Sequence, residues 1–316
     1  MIYVADFFKR LFRKQNIPMI IYLVINLVLV FVGTSLIVSV VVAESGTAMP
    51  EAALIAISIL ASIVIYGLGI VIALSPLGEF ILRTKLGCKP ITDQAVLNRI
   101  MPLFSEVHAA ARRINPSIAN DIKLFISEDN SPNAFATGRK TICINTGLLK
   151  LSDMEIKGIL AHEFGHIANH DTDFTLVVNV ANWIVTAYFT IAWVLIMVYK
   201  FIMKAVALIV SIASDSIGAV IASILGGVIV DAMVTIGIRL FSAIWTLIGN
   251  LLIKASSRSN EFLADKFAKQ AGFASGLLMF FNRYATAKPK LSFKEKLASL
   301  GDTHPATSLS INELMK

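Results

Sequence analysis

The stretch LSDMEIKGILAHEFGHIANH (residues 151–170) decides how the rest of the chain is interpreted. Ser152, followed three residues later by Glu155, forms a capping-box pattern, in which a hydroxyl and a carboxylate bond the free amides at a helix start. The pattern predicts a helix that begins near residue 153 and reaches at least residue 170. The interpretation of the flanking regions starts from this helix.

The helix carries the sequence HEFGH (162–166), in which two histidines lie four residues apart on one face. Both imidazoles can then reach one metal ion at ~2.0–2.1 Å, and nitrogen and carboxylate ligands with an open position suit zinc. Glu163 lies beside the first histidine, where it can act as a base towards a water molecule. Gly165, in a helix interior, costs roughly 1 kcal/mol relative to alanine, which favours either a close approach to a metal or strand, or neutral drift.

The third ligand must come from elsewhere in the chain. His170 lies on the same stripe, but it is eight residues and ~12 Å along the axis from His162, so one ion cannot bind both. The pattern HExxHxxGxxH is excluded because Asn169 and Thr172 stand at its last two positions. We therefore expect His170 to be a polar residue near the end of the helix rather than a ligand.

The segment SRSNEFLAD (257–265) supplies the better candidate for the third ligand. Glu261 and Asp265 are four residues apart and share a helix face. Glu261 is the predicted third zinc ligand, and Asp265 is predicted to accept the other ring N–H of a ligand histidine. Without the histidine pair, an exposed acidic helix face would be the preferred interpretation of this segment.

The composition indicates a membrane protein. Of 316 residues, 56% are hydrophobic and 16% are charged, with a mean hydropathy of +0.74, whereas soluble domains carry about 25% charged residues. The net charge of +7 comes largely from bases that flank apolar stretches, which indicates a bilayer surface and no nucleic-acid partner. Two cysteines cannot form a disulfide framework.

Four regions are long and nearly uncharged: residues 17–43, 52–75, 174–199 and 205–253. Because about 20 apolar residues span a bilayer, each of the first three predicts a transmembrane helix. The site requires an even number of crossings between HExxH and Glu261, so the fourth region is expected to cross once, near residues 232–253. Segment 205–230 would then lie at the interface, re-enter it, or pack as a helix.

The basic residues predict the orientation. Lys9, Arg10, Arg13 and Lys14 precede the first span, and Arg83, Lys85, Lys89 and Arg99 follow the second. The positive-inside rule then places the N-terminus and the segment after residue 76 in the cytoplasm.

The ordered motifs NAFATG (133–138), TGLL (146–149), LAHEFGH (160–166), SRSNEFLAD (257–265) and THP (303–305) resemble the HtpX family of membrane metalloproteases, which is related to the CAAX prenyl proteases. The resemblance implies an α-helical multi-span membrane protein with four transmembrane helices and a mainly α (α+β), gluzincin-like zinc metalloprotease domain. It also implies a zinc endopeptidase in the bacterial inner membrane that faces the cytoplasm and cuts misfolded or damaged membrane proteins under stress.

The resemblance further assigns roles to residues of this chain. His162, His166 and Glu261 would hold one Zn²⁺, with Glu163 as the base and Asp265 behind a ligand histidine. Asn133 and Ala134 would lie near the peptide, and TICIN (141–145) would be an edge strand on which an extended substrate docks. His304 would stabilise the oxyanion. Ser310 stands where the family usually has an arginine, so a second cation there is in doubt.

The resulting division of the chain has four parts. Residues 1–75 form a basic segment with two transmembrane helices, and residues 76–173 begin a cytoplasmic protease domain. Residues 174–253 hold the third and fourth membrane regions, and residues 254–316 complete the protease domain. The expected partners are the lipid bilayer and membrane-protein or unfolded polypeptide substrates. The oligomeric state is left open.

Three alternatives remain open from the sequence, and intact Glu163 argues against one of them, an inactive scaffold. A CAAX-type or peptide-processing protease would use the same site, although four apolar regions leave little room for a large intramembrane chamber. A membrane protein with a structural zinc would need four protein ligands, and the sequence offers three good ones and a base.

Overall fold

The computed structural model describes residues 2–12, 16–212 and 217–285. Its helices are α1 (Ile2–Leu11), α2 (Ile17–Ser45), α3 (Glu51–Ala73), α4 (Pro76–Lys85), α5 (Gln94–Ile114), α6 (Asp153–Asn169), α7 (Thr172–Leu176), α8 (Asn182–Ile212), α9 (Ile217–Gln270) and α10 (Ala274–Ala285). Its strands are β1 (Lys89–Pro90), β2 (Lys123–Ser127), β3 (Ala134–Ala136) and β4 (Thr141–Asn145). A 3₁₀ turn covers Thr146–Lys150, and a π-helical turn covers Val177–Ala181.

Four helical segments are long and apolar enough to cross a membrane: Ile17–Ser45, Glu51–Ala73, Thr172–Val206 and Asp231–Leu252. They coincide with the predicted spans to within seven residues at each end, and the fourth region contains one candidate crossing in its described part. The described residues of segment 205–230 belong to the end of α8 and the start of α9. Where these helix ends lie relative to the bilayer stays a prediction. The chain is thus a multi-pass membrane protein by the length and composition of its helices.

The structure separates into two compact units that interleave along the chain. The first comprises the described residues of Met1–Ile20, Ile72–Val180 and Asn250–Lys316, and the second comprises Ile21–Val71 and Ala181–Gly249. The second unit contains helices with large apolar side chains exposed on their surfaces, such as Leu60 and Leu195. The four-part division made from the sequence stays a prediction.

The first unit contains a four-stranded sheet with the order β1-β2-β4-β3. β2 and β4 are parallel, and the two outer pairs are antiparallel. All five residues of β4 are buried, as expected for an apolar, β-branched strand covered on both faces. The expectation that TICIN (141–145) is an edge strand is therefore wrong. Ala134–Ala136 pairs along the outer side of β4 and forms the edge.

Helix α6 lies at the centre of the core of this unit. Its predicted capping box is present: Ser152 Oγ accepts from the Glu155 amide at 3.4 Å, and Glu155 Oε2 accepts from the Ser152 amide at 2.9 Å. The helix ends at Asn169, and His170 has a left-handed backbone with φ of 57°. α6 packs against α5, α10 and β3, so the HExxH motif lies on a helix surrounded by protein.

Candidate metal centre

The three predicted metal ligands meet at one place in the first unit. The ligand atoms of His162, His166 and Glu261 all lie within 4.8 Å of one another. His162 and Glu261 are buried and His166 is partly buried, so the cluster is largely shielded from solvent. The two histidines come from successive turns of α6, and the carboxylate comes from the C-terminal part of α9. Residues nearly one hundred positions apart are thereby brought to a single potential metal site.

The geometry fits a zinc ion. Four ligands placed tetrahedrally at ~2.0–2.1 Å from zinc lie about 3.3 Å from one another. The two Nε2 atoms of His162 and His166 are 3.1 Å apart. Glu261 Oε2 is 3.4 Å from His162 Nε2, and Glu261 Oε1 is 3.7 Å from His166 Nε2. These separations match one small ion with nitrogen and oxygen ligands.

Each histidine is oriented by a carboxylate behind it. His162 Nδ1 is 2.8 Å from Asp265 Oδ1, and Asp265 is fully buried. His166 Nδ1 is 3.2 Å from Asp171 Oδ2. Such contacts place the ring N–H on Nδ1 and leave Nε2 free to bind a metal. Asp265 occupies the position expected from the sequence, whereas Asp171 was missed because it follows the helix in the turn made by His170.

The electrostatics of the cluster favour a positive charge. Burial works to lower the pKa of His162, but hydrogen bonds to Asp265 and Glu261 outweigh it and raise the pKa well above its usual value. The pKa of His166 is also raised, because contact with Asp171 and the charge of Glu261 overcome the effect of burial. Surroundings that favour a positive charge at the two imidazoles also suit a divalent cation.

Glu163 connects the cluster to the edge of the sheet. Its Oε2 accepts a hydrogen bond from the Ala136 amide at 3.0 Å, and the side chain is only 4% exposed. The bonds Asn145 N→Asn133 O (2.9 Å) and Thr137 N→Thr141 O (3.1 Å) define the ladder between β3 and β4. In an antiparallel ladder, intervening residues point their amides and carbonyls away from the partner. The main-chain groups of Ala134 and Ala136 therefore face the side of β3 that has no neighbouring strand among the described residues, on the side of Glu163.

The remaining predicted site residues have different placements. Asn133 is partly buried at the start of β3, and the Ala134 side chain is 1% exposed and belongs to the core. A peptide would therefore meet Ala134 through its backbone, and the roles of both residues in binding stay predictions. His304 and Ser310 lie outside the described residues. His170 caps α6 and is not part of the His-His-Glu cluster.

Two close helix contacts, not identified from the sequence, fix the packing of α6, and one of them brings its histidines to Glu261. A Cβ at Gly165 would lie 2.7 Å from Ala264 Cα, so this glycine lets α6 approach the part of α9 that carries Glu261. The close approach considered for Gly165 is therefore to a helix, not to a metal or a strand. At the other end of α6, Gly158 faces the backbone of Leu277, and Gly276 faces that of Met154. The signal for these contacts was the presence of glycine inside helices.

Comparison with known proteins agrees with this site. Residues 101–316 match the model of peptidase family M48. A protein from Bacillus pumilus (strain SAFR-032) named "Protease HtpX homolog" is 28% identical over 232 residues, covering 67% of this chain and 68% of that protein. One with the same name from Methanopyrus kandleri is 29% identical over 226 residues, covering 69% and 56%.

A third protein of that name, from Tropheryma whipplei (strain Twist), is 33% identical over 97 residues, covering 25% of this chain and 33% of that protein. The chain thus spans about a third of the length of that relative and about two thirds of the Bacillus one. The resemblance indicated by the motifs is confirmed by these matches. Because the family match covers more than half of the chain and includes every residue of the His-His-Glu cluster, the chain belongs to peptidase family M48.

Proposed function

We propose that the protein is a membrane-anchored, zinc-dependent endopeptidase that hydrolyses peptide bonds of misfolded or damaged membrane proteins. The observation that carries the proposal is the contact between Glu163 and the outward-facing amide of Ala136, beside the His-His-Glu cluster. This contact supports the proposal because a carboxylate, a potential metal site and the outer side of β3 lie within one small region. A hydrolytic site for an extended polypeptide needs all three.

His162, His166 and Glu261 would hold the zinc ion. When bound, zinc supplies a Lewis acid that polarises the scissile carbonyl and makes a water molecule more acidic. Asp265 and Asp171 keep the two imidazoles in the tautomer that leaves Nε2 for the metal. Among the described residues, the metal-binding cluster has only three protein ligands, which favours a catalytic site with an open position over a closed structural site.

Glu163 acts as the general base in this proposal. Its carboxylate takes a proton from the attacking water and later gives it to the leaving amine. In the structure this carboxylate is held by the Ala136 amide, so it is already aligned along the edge on which the peptide docks. His304 would donate to the developing oxyanion, as the family resemblance implies.

β3 binds the substrate by adding it as a further strand. Hydrogen bonds with the Ala134 amide and carbonyl and with the Ala136 carbonyl recognise the main chain of the peptide and do not read its side chains. Recognition of this kind suits unfolded segments of varied sequence, and the apolar helices of the same chain restrict the enzyme to a membrane. These features support damaged membrane proteins as the substrate class. The bases around the first two spans support a site facing the cytoplasm in a bacterial inner membrane.

The test compares wild-type protein with Glu163→Gln and His170→Ala, each purified in detergent with a chelator and then supplied with zinc. Cleavage of casein, of an unfolded membrane protein and of the enzyme itself is followed. We expect wild type and His170→Ala to cut only with zinc, whereas Glu163→Gln binds one zinc and loses at least ~10²-fold in turnover. Normal turnover by Glu163→Gln would refute the mechanism. A persistent lack of cleavage by zinc-loaded wild type would favour a structural metal.

A further inference from the structure

The turn that joins β3 to β4 (residues 137–140) is hydrogen-bonded to a carboxylate on α4, a helix distant in the sequence. Glu79, in the first turn of α4, accepts a hydrogen bond from the Arg139 amide to Oε1 at 2.8 Å. Its Oε2 accepts from the Lys140 amide at 3.3 Å and from the Thr141 hydroxyl at 3.1 Å. Three donors from consecutive residues on one carboxylate fix the path of the turn, because charge-assisted bonds of this kind are strong.

Gly138 leaves the space that Glu79 needs in order to form these hydrogen bonds. A Cβ at this position would overlap the Cγ, Cδ and Oε1 atoms of Glu79, so any other residue would push the carboxylate away from the turn. Burial raises the pKa of Glu79, although the three donors act in the opposite direction. Hydrogen bonds from the hairpin thus replace part of the hydration that the Glu79 carboxylate loses on burial.

A second contact holds the same turn from another side. Arg139 Nε and Nη2 donate to Asp173 Oδ1 and Oδ2 at 3.0 and 2.5 Å, a two-pronged pair in which the Asp173 side chain is 3% exposed. Asp6 Oδ2 lies 3.6 Å from Arg139 Nη1. Asp173 belongs to α7, which follows the C-cap of α6 after one residue. The turn is therefore connected to the chain that continues directly from the HExxH helix.

These contacts bear on the site because β3 is only three residues long. So short a strand makes few bonds of its own, and its position depends on what holds its two ends. At its start, the Asn145 amide binds the Asn133 carbonyl. At its end, Ala136 donates to Glu163 and leads directly into the turn held by Glu79.

We infer that Glu79, assisted by Asp173 through Arg139, is a positioning residue for the peptide substrate. By fixing the β3–β4 turn it holds the outer edge of β3 at the place beside Glu163 where an extended peptide can pair. The inference rests on the proposed function, since it assigns the positioning to a peptide bound on β3. Glu79 acts in this role through its hydrogen bonds to residues 139–141 of the hairpin.

The experiment compares Glu79→Ala, Glu79→Gln and a control, Asp93→Ala, all as full-length, zinc-loaded protein in detergent. Asp93 caps α5 by accepting from the Ala95 amide at 2.8 Å, so its removal weakens the same unit without touching the hairpin. Three quantities are measured: zinc content, amide hydrogen exchange of residues 134–141, and kcat and KM for a fluorogenic peptide.

Glu79→Ala is expected to keep its zinc, to speed exchange across residues 134–141, and to raise KM about tenfold with little change in kcat, the pattern of lost substrate binding. Glu79→Gln should fall between it and wild type, because the amide keeps one acceptor oxygen. Asp93→Ala should lower thermal stability without changing KM or the exchange of the hairpin. If Glu79→Ala does not fold, Thr141→Val removes one of the three bonds and should give a smaller shift in the same direction.

Unchanged exchange and unchanged KM in zinc-loaded Glu79→Ala would overturn the inference while leaving the proposed function intact, provided that wild type cleaves. The exchange measurement needs no turnover. If wild type fails to cleave but Glu79→Ala still loosens residues 134–141, the proposed function fails and the positioning of β3 by Glu79 stands.

Discussion

The two units of this protein bury their apolar residues according to different rules. In the first unit, α6 has eleven buried residues out of seventeen, and Leu160 and Phe164 are fully enclosed. In the second unit, α3 exposes Leu60 at 65% and Ile63 at 53%. A core in water is closed by the hydrophobic effect, whereas exposed faces of this kind on candidate membrane helices are suited to lipid.

The space around individual glycines also differs between the two units. A Cβ added at Gly158 or Gly165 in the first unit would collide with the backbone of a neighbouring helix, while one at Gly67 or Gly237 in the second would meet nothing within 4 Å. The close contacts of Gly158, Gly165 and Gly276 all involve α6, the helix that carries His162 and His166, and we expect α6 to tolerate change poorly at these positions. Substitutions in matched pairs can test this.

The largest effect is expected at the metal cluster. Glu261→Ala should weaken zinc binding by at least about 100-fold and abolish zinc-dependent cleavage, because it removes a ligand, and Asp265→Ala should cost ~10–100-fold through the orientation of His162. His170→Ala, at a neighbouring histidine outside the cluster, should weaken zinc binding far less than Glu261→Ala. Zinc titration in chelator-buffered solution measures all three. A weaker site in His170→Ala than in Glu261→Ala would overturn the assignment of the third ligand.

The next effect concerns the core. Leu160→Ala should destabilise the first unit by about 2–5 kcal/mol, because the surrounding side chains cannot fill the space left by a fully buried leucine. Leu60→Ala removes the same atoms from an exposed position in the second unit and should cost much less. Thermal unfolding of both variants in one detergent gives the comparison. Equal losses would show that the exposed face of α3 is covered by protein.

The smallest effect is expected on substituting glycines, and it should differ between a glycine in contact with another helix and one in open space. Gly165→Ala should destabilise by about 1–3 kcal/mol and weaken zinc binding, since α6 and α9 must move apart to admit the methyl group. Gly237→Ala, in open space within a helix, should be neutral or stabilise by up to about 1 kcal/mol. Melting temperature and zinc affinity provide the readout. Wild-type behaviour of Gly165→Ala would mean that the helices can separate without loss of the site.

Much of this architecture was accessible from local sequence patterns. The capping box at Ser152 and Glu155 predicted the start of α6, and the four-residue spacing placed His162 and His166 on one face. Hydropathy identified the four membrane helices to within seven residues at each end, because a span needs only length and apolar composition. Glu261 and Asp265 were identified by combining their own spacing with the need for a third ligand, and this assignment then predicted a single crossing in the fourth apolar region.

Other features depended on contacts between distant parts of the chain. TICIN was expected at the edge of the sheet, but strand order is set by which segments pair, and Ala134–Ala136 covers its outer side. Asp171 reaches His166 only because His170 adopts a left-handed backbone and turns the chain back. Glu79 carried no motif, and its hold on the β3–β4 turn appears only when α4 packs beside the hairpin.

The sequence by itself therefore determined the residues of the candidate metal site and the segments that lie in lipid. The site residues are a histidine pair with its base on one helix and a carboxylate pair on another, and four segments are suited to lipid. These properties follow from periodicity and composition, which act over a few turns of helix. Only the tertiary structure decided which strand faces Glu163, which glycine lets α6 meet α9, and which carboxylates orient the histidines and hold the hairpin. Those choices depend on long-range packing, where the free energy of each contact is set by partners that lie far away in the chain.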